Sequence, residues 1–406
     1  MFGRDSQYYG IINDGLSAIG YTGATAFDMW VNDTYANKYN MEKSFKEMGF
    51  GLDPSLPISA TYEQMEVEVR PYTMAAYVDI DSDGPTKHTD GASLKLGNIP
   101  TFKHEITMTR KTMREMAQLR EMLNGTSNDT INQTVVDLMF NGVDKLLGGN
   151  YNTFAYQRHQ IVSNGAKLVI GAHNNPTGVP LLLDFGVERK NIKNDNNIYT
   201  ISGESVVEGD NAKNLLSELK DIKRKATLKD HCPAGHFEVA QKTWDETLQL
   251  TSIRSLYAQM MFPTAAADSE AVAAYAALAT DDAINGFIEK HIGCRIVVID
   301  AIGSVEAFKN GKIEVNDLPA FKEGYFVYVP DGEIGTAQFG KPFALSTPGA
   351  LDAFYDGGRT WLRTIFDDDM MNYVIKSEVT GLCVPNKVRW MYYYQVNGSL
   401  AAKDKL

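Results

Sequence analysis

The sequence predicts an α+β protein, and three stretches of the 406-residue chain support that prediction. Residues 58–111 alternate between apolar and polar side chains, which is typical of β-strands. Residues 112–163 repeat apolar side chains at helical spacing, which indicates helices. After residue 165, short strand-like runs such as Arg295–Asp300 alternate with helical ones, and the region 358–396 favours strands again.

The stretch 58–111 is predicted to form a long two-stranded ribbon. Its outward limb places Met65 and Val67 on one face and glutamates on the other, and its return limb runs to Met108. A polar tip at 79–91 lies between the limbs. An isolated two-stranded ribbon is at best marginally stable in water. We therefore expect the ribbon to lie on another surface, for which a second copy of the chain is a candidate.

The segments before and after the ribbon differ in predicted secondary structure. Residues 1–57 are rich in Gly, Asn, Asp and Tyr with little periodicity, which predicts an arm that lies on a neighbouring molecule. After the ribbon, helices are expected up to Leu147 and again over Thr153–Ser163, with an interruption at Gly148 and Gly149. The polar stretch Glu188–Asn197 is expected to be a loop.

Composition and charge exclude several classes of protein. With 44% hydrophobic and 22% charged residues the chain is typical of soluble globular proteins. The formal net charge of -12 disfavours tight or sequence-specific binding of nucleic acid, although loose enclosure of it is compatible with an acidic wall. Three scattered cysteines argue against a disulfide framework. No secretory signal or apolar run of membrane-spanning length is found, so no membrane association is expected.

One candidate metal site lies at the tip of the ribbon. Asp79, Asp81, Asp83 and Asp90 fit the alternating carboxylates of a calcium loop. Lys87 stands at the ninth position of that pattern, and strands flank it where helices belong. A solvated hairpin tip is therefore the favoured interpretation.

No motif specifies an enzyme. The Asn175–Gly178 sequence is similar to a turn of pyridoxal-phosphate aminotransferases, but a simple turn before a strand is favoured. His231, Cys232 and His236 group possible zinc ligands without a second pair, and Asp367–Asp369 is more typical of a solvated loop. We therefore predict a protein without catalytic activity, cofactor or metal.

Four sequence features together resemble the major capsid proteins of tailed double-stranded DNA bacteriophages, with the fold first seen in phage Hong Kong ninety-seven. The nearest resemblance within that fold is to the branch of the phage lambda major head protein. The features, in chain order, are the ribbon with its return Gly97–Glu105, the helical run ending in Tyr151–Ile170, the strand and D-F-G turn of Pro180–Ile192, and the block Arg295–Gly340.

The resemblance implies a domain organisation. It gives an N-terminal arm (1–57), an extended β-ribbon loop (58–111), a peripheral domain with a long spine helix (112–180 and 341–406) and an α/β axial domain (181–340). The ribbon residues that it places at contacts between copies are Met65, Val67, Arg70, Tyr72, Lys87, Lys95 and Phe102. Some relatives crosslink a ribbon lysine to an asparagine, but no pattern here selects Lys87 or Lys95, or Asn386 or Asn397.

The resemblance also implies a function. The chain would assemble into the icosahedral shell of a virion as hexamers and pentamers, in the cytoplasm of the host. Its partners would be a scaffolding protein, a portal protein, a decoration protein in some relatives, and enclosed DNA bound without sequence specificity. The alternatives are the shell of an encapsulin-type cellular nanocompartment and, more remotely, a pyridoxal-phosphate or calcium-dependent enzyme.

Overall fold

The computed structural model confirms the α+β class, since helices and strands are interspersed along the chain. It describes residues 16–68, 91–108, 129–202, 205–263, 268–309, 312–343, 350–367 and 372–397, except 18, 24, 172, 173, 176, 178 and 233, and in addition 111, 114, 115 and 118.

Eight α-helices lie in the described residues, and none of them combines the length and apolar character needed to cross a membrane. In chain order they are α1 (Ala26–Tyr35), α2 (Met41–Glu47), α3 (Asp129–Ser163), α4 (Leu215–Leu228), α5 (Gln241–Leu248), α6 (Thr251–Met261), α7 (Ser269–Leu278) and α8 (Asp281–Ile292).

Eighteen strands accompany these helices in the described part of the chain. They are β1 (Phe50–Leu52), β2 (Thr61–Glu68), β3 (Gly91–Asn98), β4 (Thr101–Met108), β5 (Lys167–Ile170), β6 (Leu181–Asp184), β7 (Ile192–Ser202), β8 (Ser205–Glu208), β9 (Gly235–Ala240), β10 (Ile296–Ile299), β11 (Ile302–Lys309), β12 (Lys312–Pro319), β13 (Tyr325–Pro330), β14 (Gly335–Gly340), β15 (Leu351–Tyr355), β16 (Thr360–Asp367), β17 (Asn372–Pro385) and β18 (Tyr392–Asn397).

Contacts divide the chain into two compact units. The first unit comprises Met1–Glu63, Leu96–Ala155 and Thr336–Val384. The second unit comprises Gln64–Lys95, Tyr156–Gly335 and Pro385–Leu406. The boundaries of the peripheral and axial domains that the resemblance implies stay a prediction.

A six-stranded sheet forms the framework of the first unit. Its order is β1-β14-β17-β16-β15, and β4 also pairs with β17, antiparallel from Thr101 to Met108. The interpretation of 101–108 as part of the ribbon is therefore wrong, and the return limb of the ribbon ends with β3. Alternating burial along β4 is what any half-buried strand shows, so the sequence pattern could not tell a ribbon partner from a sheet partner.

Part of the expected arm packs into the core of the first unit. Phe27 and Trp30 of α1 and Phe45 of α2 are each 1% exposed, and Phe50 is fully buried. The expectation of an arm that lies on a neighbour thus does not hold for residues 26–52. Phe27 and Trp30 lie one helical turn apart, a signal that the surrounding polar residues obscured.

Helix α3 runs without interruption through the two glycines that were expected to break it. A Cβ atom at Gly149 would lie 2.6 Å from Cε1 of His104, and one at Gly148 would lie 3.1 Å from the hydroxyl of Tyr39. The glycines therefore let other side chains approach the helix closely. Packing compensates for the low helix propensity of glycine, which costs about 1 kcal/mol per residue.

Three phenylalanines pack around Phe154 in the first unit. The ring centroids of Phe45, Phe102 and Phe339 lie 5.0, 5.2 and 5.4 Å from that of Phe154. A Cβ atom on Gly381 would lie 2.6 Å from the ring of Phe154 and 3.0 Å from that of Phe339. The cluster therefore leaves no room for a side chain at position 381.

We expect Gly381→Ala to lower the free energy of unfolding by about 1–3 kcal/mol, because overpacking of a filled core costs that much. The matched control is Gly286→Ala in α8, where a Cβ atom would meet nothing within 4 Å. That substitution should leave stability unchanged or raise it by about 1 kcal/mol. Urea unfolding of the purified variants measures both effects, and equal stability of the two would contradict the expectation.

A mixed sheet with the order β10-β9-β13-β18-β7-β8 forms the framework of the second unit. The central strand β13 is antiparallel to β9 and β18, whereas β9 and β10, and likewise β18 and β7, are parallel. Strand β7 occupies much of the polar stretch that was expected to be a loop. Helices α4, α5, α6 and α8 contribute side chains to the core around this sheet.

A buried ion pair joins α3 to this sheet within the second unit. Nη1 of Arg158 donates to Oε2 of Glu238 at 2.6 Å, and Nη2 donates to Oε1. His236 lies beside the pair, with Nδ1 2.6 Å from Oδ1 of Asp331. Burial by itself raises the pKa of Glu238, but the Arg158 guanidinium and the His236 ring outweigh it and hold that pKa at about 2. The carboxylate therefore stays ionised, and loss of one partner would cost about 3–5 kcal/mol.

The neighbouring residue His159 predicts a pH dependence. Burial lowers the pKa of His159 and Arg158 lowers it further, to about 4. An unfolded histidine titrates near 6.5, so between about pH 6.5 and pH 4 the unfolded chain binds the proton more readily and the folded state loses stability. His159→Gln should lose less stability than the wild type over this range. Unfolding free energies at several pH values measure this, and parallel profiles would contradict it.

Candidate functional site

The described base of the predicted ribbon is the two-stranded sheet of β2 and β3. Burial alternates along β2, but the buried residues are Tyr62 and Gln64, whereas Met65 is 56% exposed. The apolar face that the sequence assigns to Met65 therefore points to solvent, and a polar side chain points inward.

Strand β3 exposes apolar side chains in the same way. Leu94 is 59% and Leu96 is 65% exposed, and residues two apart on a strand share a face. The next residue on that face is Asn98, so positions 94, 96 and 98 carry no ionisable group. Large exposed apolar side chains in a row are typical of contact surfaces.

Two hydrogen-bond donors fasten the ribbon base within the second unit. Nε2 of Gln64 donates to the carbonyl oxygens of Phe185 and Pro385, at 3.2 and 3.1 Å. Nζ of Lys95 donates to the same Phe185 oxygen at 2.9 Å. Each strand of the ribbon thus supplies a donor to one carbonyl group. Sequence reasoning missed Gln64; the available signal was that it shares a strand face with Tyr62.

The D-F-G turn presents that carbonyl group. Oδ1 of Asp184 accepts a hydrogen bond from the backbone N–H of Gly186 at 2.8 Å, and the side chain of Phe185 is fully buried. Gly186 has a φ of 82°, and a Cβ atom there would lie 2.5 Å from Nζ of Lys95. The positive φ therefore favours a glycine at this position, and the amine of Lys95 occupies the space beside it.

An aromatic ring fixes the first-unit end of the ribbon base. The side chain of Tyr62 is 7% exposed, and a Cβ atom on Gly97 would lie 2.5 Å from its Cε1 atom. The ring of one strand thus covers the glycine of the other. Such pairs fix the register of neighbouring strands, because the ring fits only where a side chain is missing.

The structure places the seven predicted contact residues in different situations. Met65 is exposed and Lys95 binds a carbonyl group of its own chain. Val67 lies in β2, and its side chain is outside the described part. Phe102 is not a ribbon residue, because it lies in β4 and packs on Phe154. The other predicted residues lie outside the described ranges: Arg70, Tyr72 and Lys87.

Within the described residues, no group of three or more His, Cys, Asp or Glu side chains could hold a metal ion. The proposed calcium ligands Asp79, Asp81, Asp83 and Asp90 lie outside those residues. Sγ of Cys232 donates to the carbonyl oxygen of Ala234 at 3.2 Å. Cys232 therefore has a partner within the loop that precedes β9.

The Asn175–Gly178 sequence contains an ordinary side-chain turn. Oδ1 of Asn175 accepts hydrogen bonds from the backbone N–H and the hydroxyl of Thr177, at 3.3 and 3.0 Å. Its Nδ2 donates to the carbonyl oxygen of Val179 at 3.0 Å. Asparagine is favoured in turns for this bonding, which supports the interpretation as a turn.

Several solved structures align with most of this chain, among them phage capsid proteins and an encapsulin. A protein assigned as the capsid protein of a prophage of E. coli CFT073 is 10% identical, covers 90% of this chain and 97% of its own, and gives a TM-score of 0.45. The capsid protein of Myoviridae phage XM1 is 8% identical, covers 87% of this chain and 91% of its own, and gives a TM-score of 0.39. The SrpI encapsulin of Synechococcus elongatus PCC 7942 is 7% identical, covers 90% of this chain and 90% of its own, and gives a TM-score of 0.34.

No protein-family model and no curated protein matches the sequence. Because the three TM-scores lie below 0.5, the proposal that follows rests on this chain's own residues.

Two neighbouring substitutions in β2 test the geometry of the ribbon base. We expect Gln64→Met to lower the free energy of unfolding by about 1–3 kcal/mol, because the carbonyl group of Pro385 loses this donor and that of Phe185 keeps only Lys95. Met65→Gln should change it by less than about 0.5 kcal/mol, since that side chain is exposed. Chemical denaturation measures both, and the reverse order of effects would show that β2 presents its other face.

Proposed function

We propose that the chain is the major capsid protein of a tailed double-stranded DNA bacteriophage, and that its copies assemble into the icosahedral shell around the genome. The observation that carries the proposal is the outward apolar face of β2 and β3, where Met65, Leu94 and Leu96 are exposed while Gln64 is buried. Soluble monomers rarely leave such a face uncovered. The sequence features that resemble the capsid family support another copy of the chain as the covering molecule.

A shell subunit needs contact area rather than catalytic groups. Identical copies that meet through different surfaces form rings and closed lattices. The ribbon supplies such a surface, with Met65, Val67, Arg70, Tyr72 and Lys87 as proposed contacts. Lys95 is proposed to anchor the ribbon to its own chain, and Phe102 packs on Phe154 in the first unit instead.

The remaining partners follow from the same resemblance. We propose that the copies form hexamers and pentamers with a scaffolding protein and a portal protein, and that assembly takes place in the host cytoplasm. The mature shell belongs to the virion and encloses DNA without reading its sequence. No cofactor or reaction is part of this function.

We expect Leu94→Asp to prevent closure of shells, because it places a charge in the apolar contact between copies. The matched control is Ser93→Asp, the same charge on the other face of β3, which should leave closure intact. Both residues are exposed, so both variants should unfold at the wild-type urea concentration. Electron microscopy of particles, expressed with the candidate scaffolding protein, measures closure.

Normal shells from Leu94→Asp would refute the role given to the ribbon, and a compact wild-type monomer that never forms particles would refute the proposed function. The contents of purified wild-type particles separate the phage shell from the nanocompartment. Packaged DNA supports the first, whereas packaged protein without nucleic acid supports the second.

A further inference from the structure

Helix α4 and the residues that flank it carry a concentration of positive charge on an acidic chain. From position 213 to position 229 there are six basic side chains against two acidic ones, although the whole chain has a formal net charge of -12. The exposed basic residues are Lys213, Lys220, Arg224, Lys225 and Lys229.

The buried inner face of α4 sets which of its side chains point outward. Leu215, Leu219 and Ile222 are each at most 3% exposed and belong to the core of the second unit. At helical spacing, Lys220 and Arg224 then form one outward row, and Lys225 and Lys229 form a second. The helix therefore presents a rigid basic surface, which we call the α4 face.

In the described part of the chain, the basic side chains of the α4 face have no salt-bridge partner. Among the described residues, none of its five basic side chains lies within ion-pair distance of a carboxylate. Of the two acidic residues of α4, Glu218 is paired with Lys193, and only Asp221 is exposed. By contrast, Lys103 and Lys376 in the first unit lie 2.6 and 2.9 Å from glutamates.

The composition of the α4 face distinguishes between possible anionic partners. A protein partner generally requires an apolar centre in the contact, with polar residues around it. The only large exposed apolar side chain of α4 is Leu228, at its last residue. A duplex carries one negative charge per about 1.7 Å of its axis and is held through phosphates by rows of lysine and arginine alone.

We infer that the α4 face contacts the phosphate backbone of the nucleic acid that the shell encloses. This inference rests on the proposed function, because it names where the wall meets its contents. The acidic remainder of the chain does not cancel the contact, since charges more than about 8–10 Å apart are largely screened at physiological salt. Binding is therefore local, independent of sequence and weakened by salt.

The test compares two triple variants of the full chain. Lys220→Gln, Arg224→Gln and Lys225→Gln remove three charges from the α4 face. Lys103→Gln, Lys242→Gln and Lys376→Gln remove three charges that are already paired with glutamates. Both triple variants change the net charge equally. A difference in DNA binding between them therefore depends on where the removed charges lie.

The measurement is binding of a 40-base-pair DNA duplex over a series of salt concentrations. Log affinity falls with log salt concentration by about 0.9 for each phosphate contact. The α4 variant removes three charges, so the magnitude of its slope should be smaller by about 2–3. Its affinity at low salt should fall at least about tenfold, and two duplexes of unrelated sequence should bind alike. The control variant should keep the wild-type slope.

Three outcomes would overturn the inference: no duplex binding by the wild type at low salt, an equal loss of slope in both variants, or binding of polyglutamate in preference to DNA. The last would assign the α4 face to an acidic protein partner. Particle formation by the wild type is scored separately by electron microscopy. If closed shells form but the α4 variant binds DNA like the control, only this inference is refuted. If no shells form, the proposed function is refuted.

Discussion

The attachment of the ribbon base is the constraint on which the interpretation of this molecule depends. A two-stranded ribbon has two faces, and the chain uses one of them to bind itself: Gln64 and Lys95 donate to the Phe185 carbonyl group. The other face, with Met65 and Leu94, is left exposed. Because the polar face is turned inward, Met65, Leu94 and Leu96 face solvent among the described residues, and the proposed contact between copies would cover them.

Much of the fold could be predicted from periodicity, and the errors have a common cause. The strand expected at Arg295–Asp300 corresponds to β10, and the helix expected over Thr153–Ser163 lies within α3. The pairing partner of a strand could not be predicted in this way. The side chains of β4 alternate between buried and exposed beside β17, as they would in a ribbon. The polar start of β7 reads as a loop, yet its backbone pairs with β18. Pairing across long sequence separations leaves no local trace.

The candidate site shows the same limit at the level of single residues. The sequence located the ribbon and the D-F-G turn separately, but nothing in it showed that one carbonyl group joins them. Gln64 looked like one polar residue among several in an alternating strand. Its importance comes from the carbonyl groups of Phe185 and Pro385, which lie opposite it in space but far from it in the sequence. Similarly, Gly148 and Gly149 suggested a helix end until their close contacts with Tyr39 and His104 were known.

In the proposed shell, the apolar side chains of Leu94 and Leu96 would lie in the contact between copies. Contacts between apolar side chains do not weaken as salt is added, whereas contacts between lysine and phosphate do. Added salt also screens the mutual repulsion of copies that each carry a net charge of -12. In the proposed shell, added salt would therefore leave the apolar contact between copies intact and weaken the proposed contact between α4 and DNA. Such a shell would release its hold on the DNA before its subunits separate.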